Sequence, residues 1–170
     1  MRLRTLFVVV FLVGLTVCFS AAVVGAEGPF KLKPGAQGKL CLTCHTAFSA
    51  KMKAKHIHTP LEAGECSGCH NPHASNHGML MDTDADAICY TCHDSVVPEG
   101  AKSSHQIVAE GQCVSCHDPH SSENPANLVR GGSDLCFECH KELGEKIKSN
   151  KFGHSPVQQD CLRCHNPHAS

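Results

Sequence analysis

The chain has 170 residues, with 13 Cys and 14 His but no Trp, one Tyr and seven Phe. This composition argues against a core of large apolar side chains, so other groups have to hold the fold together. The formal net charge of −1 provides no basic surface to neutralise a phosphate backbone, which argues against a nucleic-acid-binding role.

Residues 1–26 have the pattern of an export signal. Arg2 and Arg4 form a positive n-region, residues 6–18 are apolar, and residues 24–26 (Val-Gly-Ala) form a small-residue cleavage site. We therefore predict export to the periplasm of a Gram-negative bacterium, or to its outer surface, and a mature protein that begins at Glu27. An uncleaved membrane anchor is the alternative, because residues 6–26 are long enough to span a bilayer.

Six CxxCH motifs recur through the mature chain at steps of 23 to 25 residues. Odd motifs follow Leu or Ile, even motifs continue into Asn-Pro-His or Asp-Pro-His, and a lone histidine precedes each even motif. The repeating unit is therefore a pair of motifs. We predict one domain over residues 27–170, built of three doublets at about 28–75, 76–122 and 123–170.

Local structure is predicted to be mostly irregular loop. Apolar residues at helical spacing predict short α-helices at about 46–56 and 140–149, while Pro and Gly interrupt the remainder. No strand pattern persists, so we expect almost no β-structure.

A CxxCH segment places two thiols to form thioethers with the vinyl groups of one porphyrin, and the next imidazole to bind its iron. Six such segments predict six covalently bound haem c groups. The thioether cysteines are Cys41, Cys44, Cys66, Cys69, Cys89, Cys92, Cys113, Cys116, Cys136, Cys139, Cys161 and Cys164. The proximal ligands are His45, His70, His93, His117, His140 and His165. Zinc ribbons or disulfides are the alternatives, but neither explains a histidine directly after every pair.

Eight histidines lie outside the motifs, and six of these occupy equivalent places in the repeats. They are the predicted distal iron ligands, namely the lone His58, His105 and His154 and the Pro-His residues His73, His120 and His168. Every iron would then be bis-histidine. His56 and His77 have no equivalents and are interpreted as exposed histidines without a special role. Met79 and Met81 are expected to pack against a haem face. The lysines at positions 51, 53 and 55 are expected to form a solvated helix face or to pair with haem propionates, rather than a docking patch.

Chain length limits which iron each distal histidine can reach. Trans imidazoles bonded at about 2 Å place their Cα atoms roughly 12–13 Å apart, whereas three extended residues span at most about 10–11 Å. His73 therefore cannot share an iron with His70, and the later Pro-His residues have the same restriction. We expect His73 to cross to the haem of His45. His58 would then serve the haem of His70, although the opposite assignment of His58 stays open.

The order Leu-Cys-x-x-Cys-His, lone His, Cys-x-x-Cys-His-Asn-Pro-His resembles bacterial multihaem cytochromes with doubled CxxCH motifs, related to decahaem-type periplasmic electron carriers, over residues 28–170. The resemblance implies a multihaem cytochrome c fold, with loops and short helices wrapped around a file of bis-histidine haems. We predict a low-potential electron carrier, not an enzyme, in a respiratory or extracellular electron-transfer chain. Other redox proteins would be its donor and acceptor, with membrane cytochromes or further copies as conceivable associates. A small reductase with one open haem, and a subunit of a conductive filament, are the alternatives.

Overall fold

The computed structural model describes residues 38–170. The predicted signal peptide and its cleavage site lie outside these residues. Within the described segment, none of the helices is long and apolar enough to cross a membrane.

Short helices and turns account for most of the regular structure of this segment. The α-helices are α1 (Lys39–Leu42), α2 (Phe48–Lys51), α3 (Thr59–Glu62), α4 (Ala85–Ile88), α5 (Gln106–Ala109), α6 (Ser133–Phe137) and α7 (Lys141–Ser149). The strands are β1 (His56–Ile57) and β2 (Ser121–Ser122). Single 3-10 turns lie at Cys66–Gly68, Gly78–Leu80, Cys89–Thr91, Cys113–Ser115, Pro125–Asn127, Ser155–Gln158 and Cys161–Arg163. The predicted predominance of loops with little β-structure is confirmed for this part of the chain.

The two predicted helices have different outcomes. The prediction for 140–149 is confirmed by α7, which buries Gly144 close to the ring of Phe137. The prediction for 46–56 is wrong in length, because α2 ends at Lys51 and the chain enters β1 at His56. Pairing of β1 with a distant strand gives this backbone hydrogen-bond partners that local helical spacing cannot reveal.

Strand β1 pairs antiparallel with β2, with His56 opposite Ser122 and Ile57 opposite Ser121. One residue further on, the His58 N–H donates to the carbonyl oxygen of His120 at 2.8 Å. The next repeat has the same ladder, in which the Ser103 N–H donates to Ser170 and the His105 N–H donates to His168. Each ladder therefore fixes a lone histidine beside the Pro-His residue of the following doublet.

Packing between protein side chains is sparse in residues 38–170. Two hydrophobic side chains are buried there, Leu61 at 8% and Ala169 at 5% relative exposure. Phe152 is 87% exposed. The thin apolar core expected from composition is therefore present in this segment, and the fold needs stabilising groups other than aliphatic side chains.

Candidate metal centres

All six CxxCH motifs adopt the same single turn. In each one the N–H of the histidine donates to the carbonyl oxygen of the first cysteine, at 2.9–3.0 Å. This bond spans four residues, as in one turn of α-helix, and therefore brings the histidine back over the first cysteine. The turn thus brings the backbone of the histidine back toward that of the first cysteine at every repeat. Such a turn suits attachment of one planar group per motif.

Four motif histidines face a histidine from outside the motifs. The ring centroids are 6.0 Å apart in His58–His93, 6.2 Å in His70–His120, 6.1 Å in His105–His140 and 6.2 Å in His117–His168. The ring planes of these pairs differ by 7° to 25°. Imidazole nitrogens bonded to a metal at about 2.0–2.1 Å, each about 1.1 Å from its centroid, place trans rings about 6.2–6.4 Å apart. Each pair therefore has the separation needed to hold one iron.

Backbone carbonyls orient several of these rings. The Nδ1 of His70 lies 3.0 Å from the carbonyl oxygen of Met79, and the Nδ1 of His117 lies 2.8 Å from that of Ala126. Both carbonyls come from left-handed residues, with φ of 55° and 53°. His58 Nδ1 likewise lies 2.8 Å from the carbonyl oxygen of Pro119. A carbonyl oxygen only accepts, so Nδ1 carries the proton and Nε2 is left with the lone pair that a metal requires.

The Asn or Asp that precedes each Pro-His forms a side-chain turn. Asp118 Oδ1 accepts from the His120 N–H at 2.9 Å, and the side chains of Asn71 and Asn166 accept from His73 and His168 in the same way. Only Asn, Asp and similar short acceptors make this local bond. The turn directs the Pro-His residue away from the histidine of its own motif.

The chain-length limit on the Pro-His residues agrees with the structure, because His70 faces His120 and His117 faces His168. The expected partner of His58 is wrong. Its ring faces His93 of the second doublet and not His70 of its own. The physical reason is the β1–β2 ladder, which holds His58 beside the backbone of His120. Pairing of histidines thus runs between doublets.

His73 and His154 do not face a motif histidine within residues 38–170. Correspondingly, His45 and His165 have no facing imidazole there, and the ring next to His45 is Phe48, at 6.5 Å and 86°. The predicted crossing of His73 to the haem of His45 is therefore not seen. Four of the six predicted distal histidines are brought opposite a motif histidine, and two are not.

Thiols of consecutive motifs lie near one another in an alternating pattern. Burial raises the pKa of the Cys66 thiol, and the neighbouring Cys41 thiol raises it further. The same two causes raise the pKa of Cys89 beside Cys113, and of Cys136 beside Cys161. Between these pairs the second cysteines meet: burial and Cys92 raise the pKa of Cys69, and burial and Cys139 raise that of Cys116. Each motif therefore lies next to the motif that follows it in the chain.

His77 and Lys51 have local partners, whereas the ring of His56 does not, and the partial burial of His56 shows that its interpretation as an exposed histidine is wrong. His77 Nδ1 lies 2.9 Å from Asp84 Oδ1. The Lys51 ammonium pairs with the Asp118 carboxylate, so this lysine is engaged within the fold. Although burial opposes ionisation of Asp118, hydrogen bonds from Lys51 and two backbone N–H groups outweigh it and lower the pKa of the carboxyl group. His56 Nε2 is buried without a hydrogen-bond partner.

A family model for the doubled CXXCH motif matches residues 58–98 and 105–145. Together with the facing pairs, this match indicates covalently bound haem c and supports a multihaem c-type cytochrome. No curated protein matches the chain. Each matched segment begins at a lone histidine and holds an even motif followed by an odd one. Each segment therefore contains one complete facing pair, which is His58–His93 in the first and His105–His140 in the second.

Proposed function

We propose that this cytochrome is an exported electron carrier with six haem c groups, working in a respiratory or extracellular electron-transfer chain. The observation that carries the proposal is the set of four facing histidine pairs, with centroids 6.0–6.2 Å apart. Each pair combines one motif histidine with one histidine from another repeat. This is the arrangement expected of bis-histidine iron.

The twelve motif cysteines would hold the porphyrins, and the motif histidines would supply the proximal ligands. His58, His105, His120 and His168 would supply four distal ligands from the positions they already occupy. Haem c, when bound, supplies reversible one-electron chemistry at its iron. The chain's contribution is to fix the ring tautomers through Nδ1 and to set the spacing of the motifs.

Saturated ligation at the four facing pairs favours a carrier over an enzyme. An iron with two imidazole ligands has no open position for a substrate, and it lacks the methionine ligand that raises the potential of ordinary cytochromes c. Low potentials should follow. The file of adjacent motifs would let electrons enter at one end and leave at the other, to and from other redox proteins of the periplasm or the outer surface.

Haem content and ligation test this function directly. Mass spectrometry of the mature holoprotein should give a mass increase of six haems, and a reductive titration should show the haems of the four facing pairs at low potential. Electron paramagnetic resonance should show low-spin, bis-imidazole iron at the four facing pairs. Fewer haems, or high-spin iron at those pairs, would reject the proposed carrier. Turnover of a small substrate at one of these irons would favour a reductase instead.

A further inference from the structure

The facing pairs follow one rule of connectivity. A lone histidine faces the odd-motif histidine of the next doublet, as His58 and His105 face His93 and His140. A Pro-His histidine faces the even-motif histidine of the preceding doublet, as His120 and His168 face His70 and His117. The middle doublet therefore gives one ligand forward along the chain and one backward, whereas the first gives only a forward ligand and the last only a backward one.

The four histidines without a facing imidazole in residues 38–170 are complementary under this rule. His154 is a lone histidine, which requires an odd-motif partner, and His45 belongs to an odd motif. His73 is a Pro-His histidine, which requires an even-motif partner, and His165 belongs to an even motif. All four are solvent-exposed in the structure. The last doublet therefore lacks an odd-motif partner for His154, and the first doublet has one in His45. The first doublet lacks an even-motif partner for His73, and the last doublet has one in His165.

We propose that copies of this chain join head to tail by exchanging axial ligands. His154 of one copy faces His45 of the next copy, while His73 of that next copy faces His165 of the first. The inference rests on the proposed haem function, because the exchanged histidines need irons between them. It names a second copy of this chain as the partner.

Two further repeat contacts support a second copy as the occupant of these ends. The second cysteines of neighbouring doublets lie together in Cys69–Cys92 and Cys116–Cys139, and Cys164 and Cys44 would form the equivalent contact between copies. The ladders between lone and Pro-His residues would likewise continue from His154 to His73 of the next copy. Because this interface joins two different surfaces, it produces an open filament or a closed ring.

Two variants with opposite defects test the exchange. His73→Ala leaves the last doublet intact and damages the first, whereas His154→Ala does the reverse. Neither variant can form a complete interface with itself. A mixture of the two can form one complete interface, between the last doublet of the first variant and the first doublet of the second, so assembly should stop at a mixed dimer.

Sedimentation velocity and electron microscopy of the mature holoproteins would measure this. We expect large assemblies for the unchanged protein, much smaller species for each variant alone and mixed dimers on combining them. His105→Ala is the matched control, since it removes a distal histidine that acts within one chain. It should leave assembly unchanged and create one iron that binds carbon monoxide after reduction.

Haem content separates the two proposals. Single chains of the unchanged protein, with six haems and carbon monoxide binding at the irons of His45 and His165, would overturn the exchange and leave the electron carrier standing. Assemblies that survive both variants unaltered would overturn it as well. A mass showing fewer than six haems would instead reject the proposed function on which the exchange rests.

Discussion

Replacing Gly111 by alanine should strongly destabilise the junction between the third and fourth motifs. Gly111 has a φ of +70°, which favours glycine, and its position leaves no space for a methyl group. An added Cβ would overlap the Cβ of Asp86 and lie 3.3 Å from its Cα. Gly100 is a matched control, because its φ is +79° but nothing lies within 4 Å of the position of its Cβ.

The two substitutions share one cost and differ in another. A non-glycine residue in the left-handed region costs about 1–2 kcal/mol, which both variants should lose. Gly111→Ala adds overpacking against backbone and Cβ atoms, which typically costs about 1–3 kcal/mol more. We therefore expect a loss of about 2–5 kcal/mol for Gly111→Ala. The control Gly100→Ala should lose only about 1–2 kcal/mol.

Thermal unfolding of the holoproteins, followed by circular dichroism in the far ultraviolet and at the haem Soret band, would measure the difference. At roughly 3–5 °C per kcal/mol for a chain of this size, Gly111→Ala should unfold several degrees below Gly100→Ala. Mass spectrometry would verify equal haem content beforehand. Equal unfolding temperatures for the two variants would show that Gly111 and Asp86 do not approach each other as described.

Three further predictions concern ligation, the Pro-His turn and the role of haem in folding. His58→Ala should open the iron of His93 to carbon monoxide and leave that of His70 low-spin; a vacancy assigned by nuclear magnetic resonance to the His70 haem would refute the pairing. Asp118→Asn keeps the acceptor for the His120 N–H and loses only the ionic part of the partly exposed Lys51 pair, so chemical denaturation should show a loss of about 0–1 kcal/mol. Asp118→Ala loses both the ion pair with Lys51 and the acceptor for the His120 N–H, so its free energy of unfolding should fall by about 1–2 kcal/mol more than that of Asp118→Asn. Equal losses for the two variants would contradict a stabilising role for the Asp118–His120 hydrogen bond. Protein made without haem attachment should lack a cooperative unfolding transition in circular dichroism, because the apolar core is thin, and a sharp transition would contradict this.

The sequence by itself determined the chemistry of this protein. CxxCH is a local signal, since one turn of backbone places both thiols and the imidazole, and six copies specify haem attachment without reference to the fold. Local sequence also excluded an iron shared by His73 and His70, because three residues are too short to connect two trans imidazoles. The helix α7 was also predictable from the spacing of Leu143 and Ile147.

Tertiary structure alone decided which histidines face each other. His58 lies at similar chain distances from His45 and His70, so chain length permitted either, and the structure gives it to His93 instead. The deciding contact is the β1–β2 ladder, whose two strands are separated in sequence by more than sixty residues. Such a pairing depends on backbone hydrogen bonds between distant segments, which side-chain periodicity does not encode. For the same reason helix α2 ends early, because the residues after it enter that ladder.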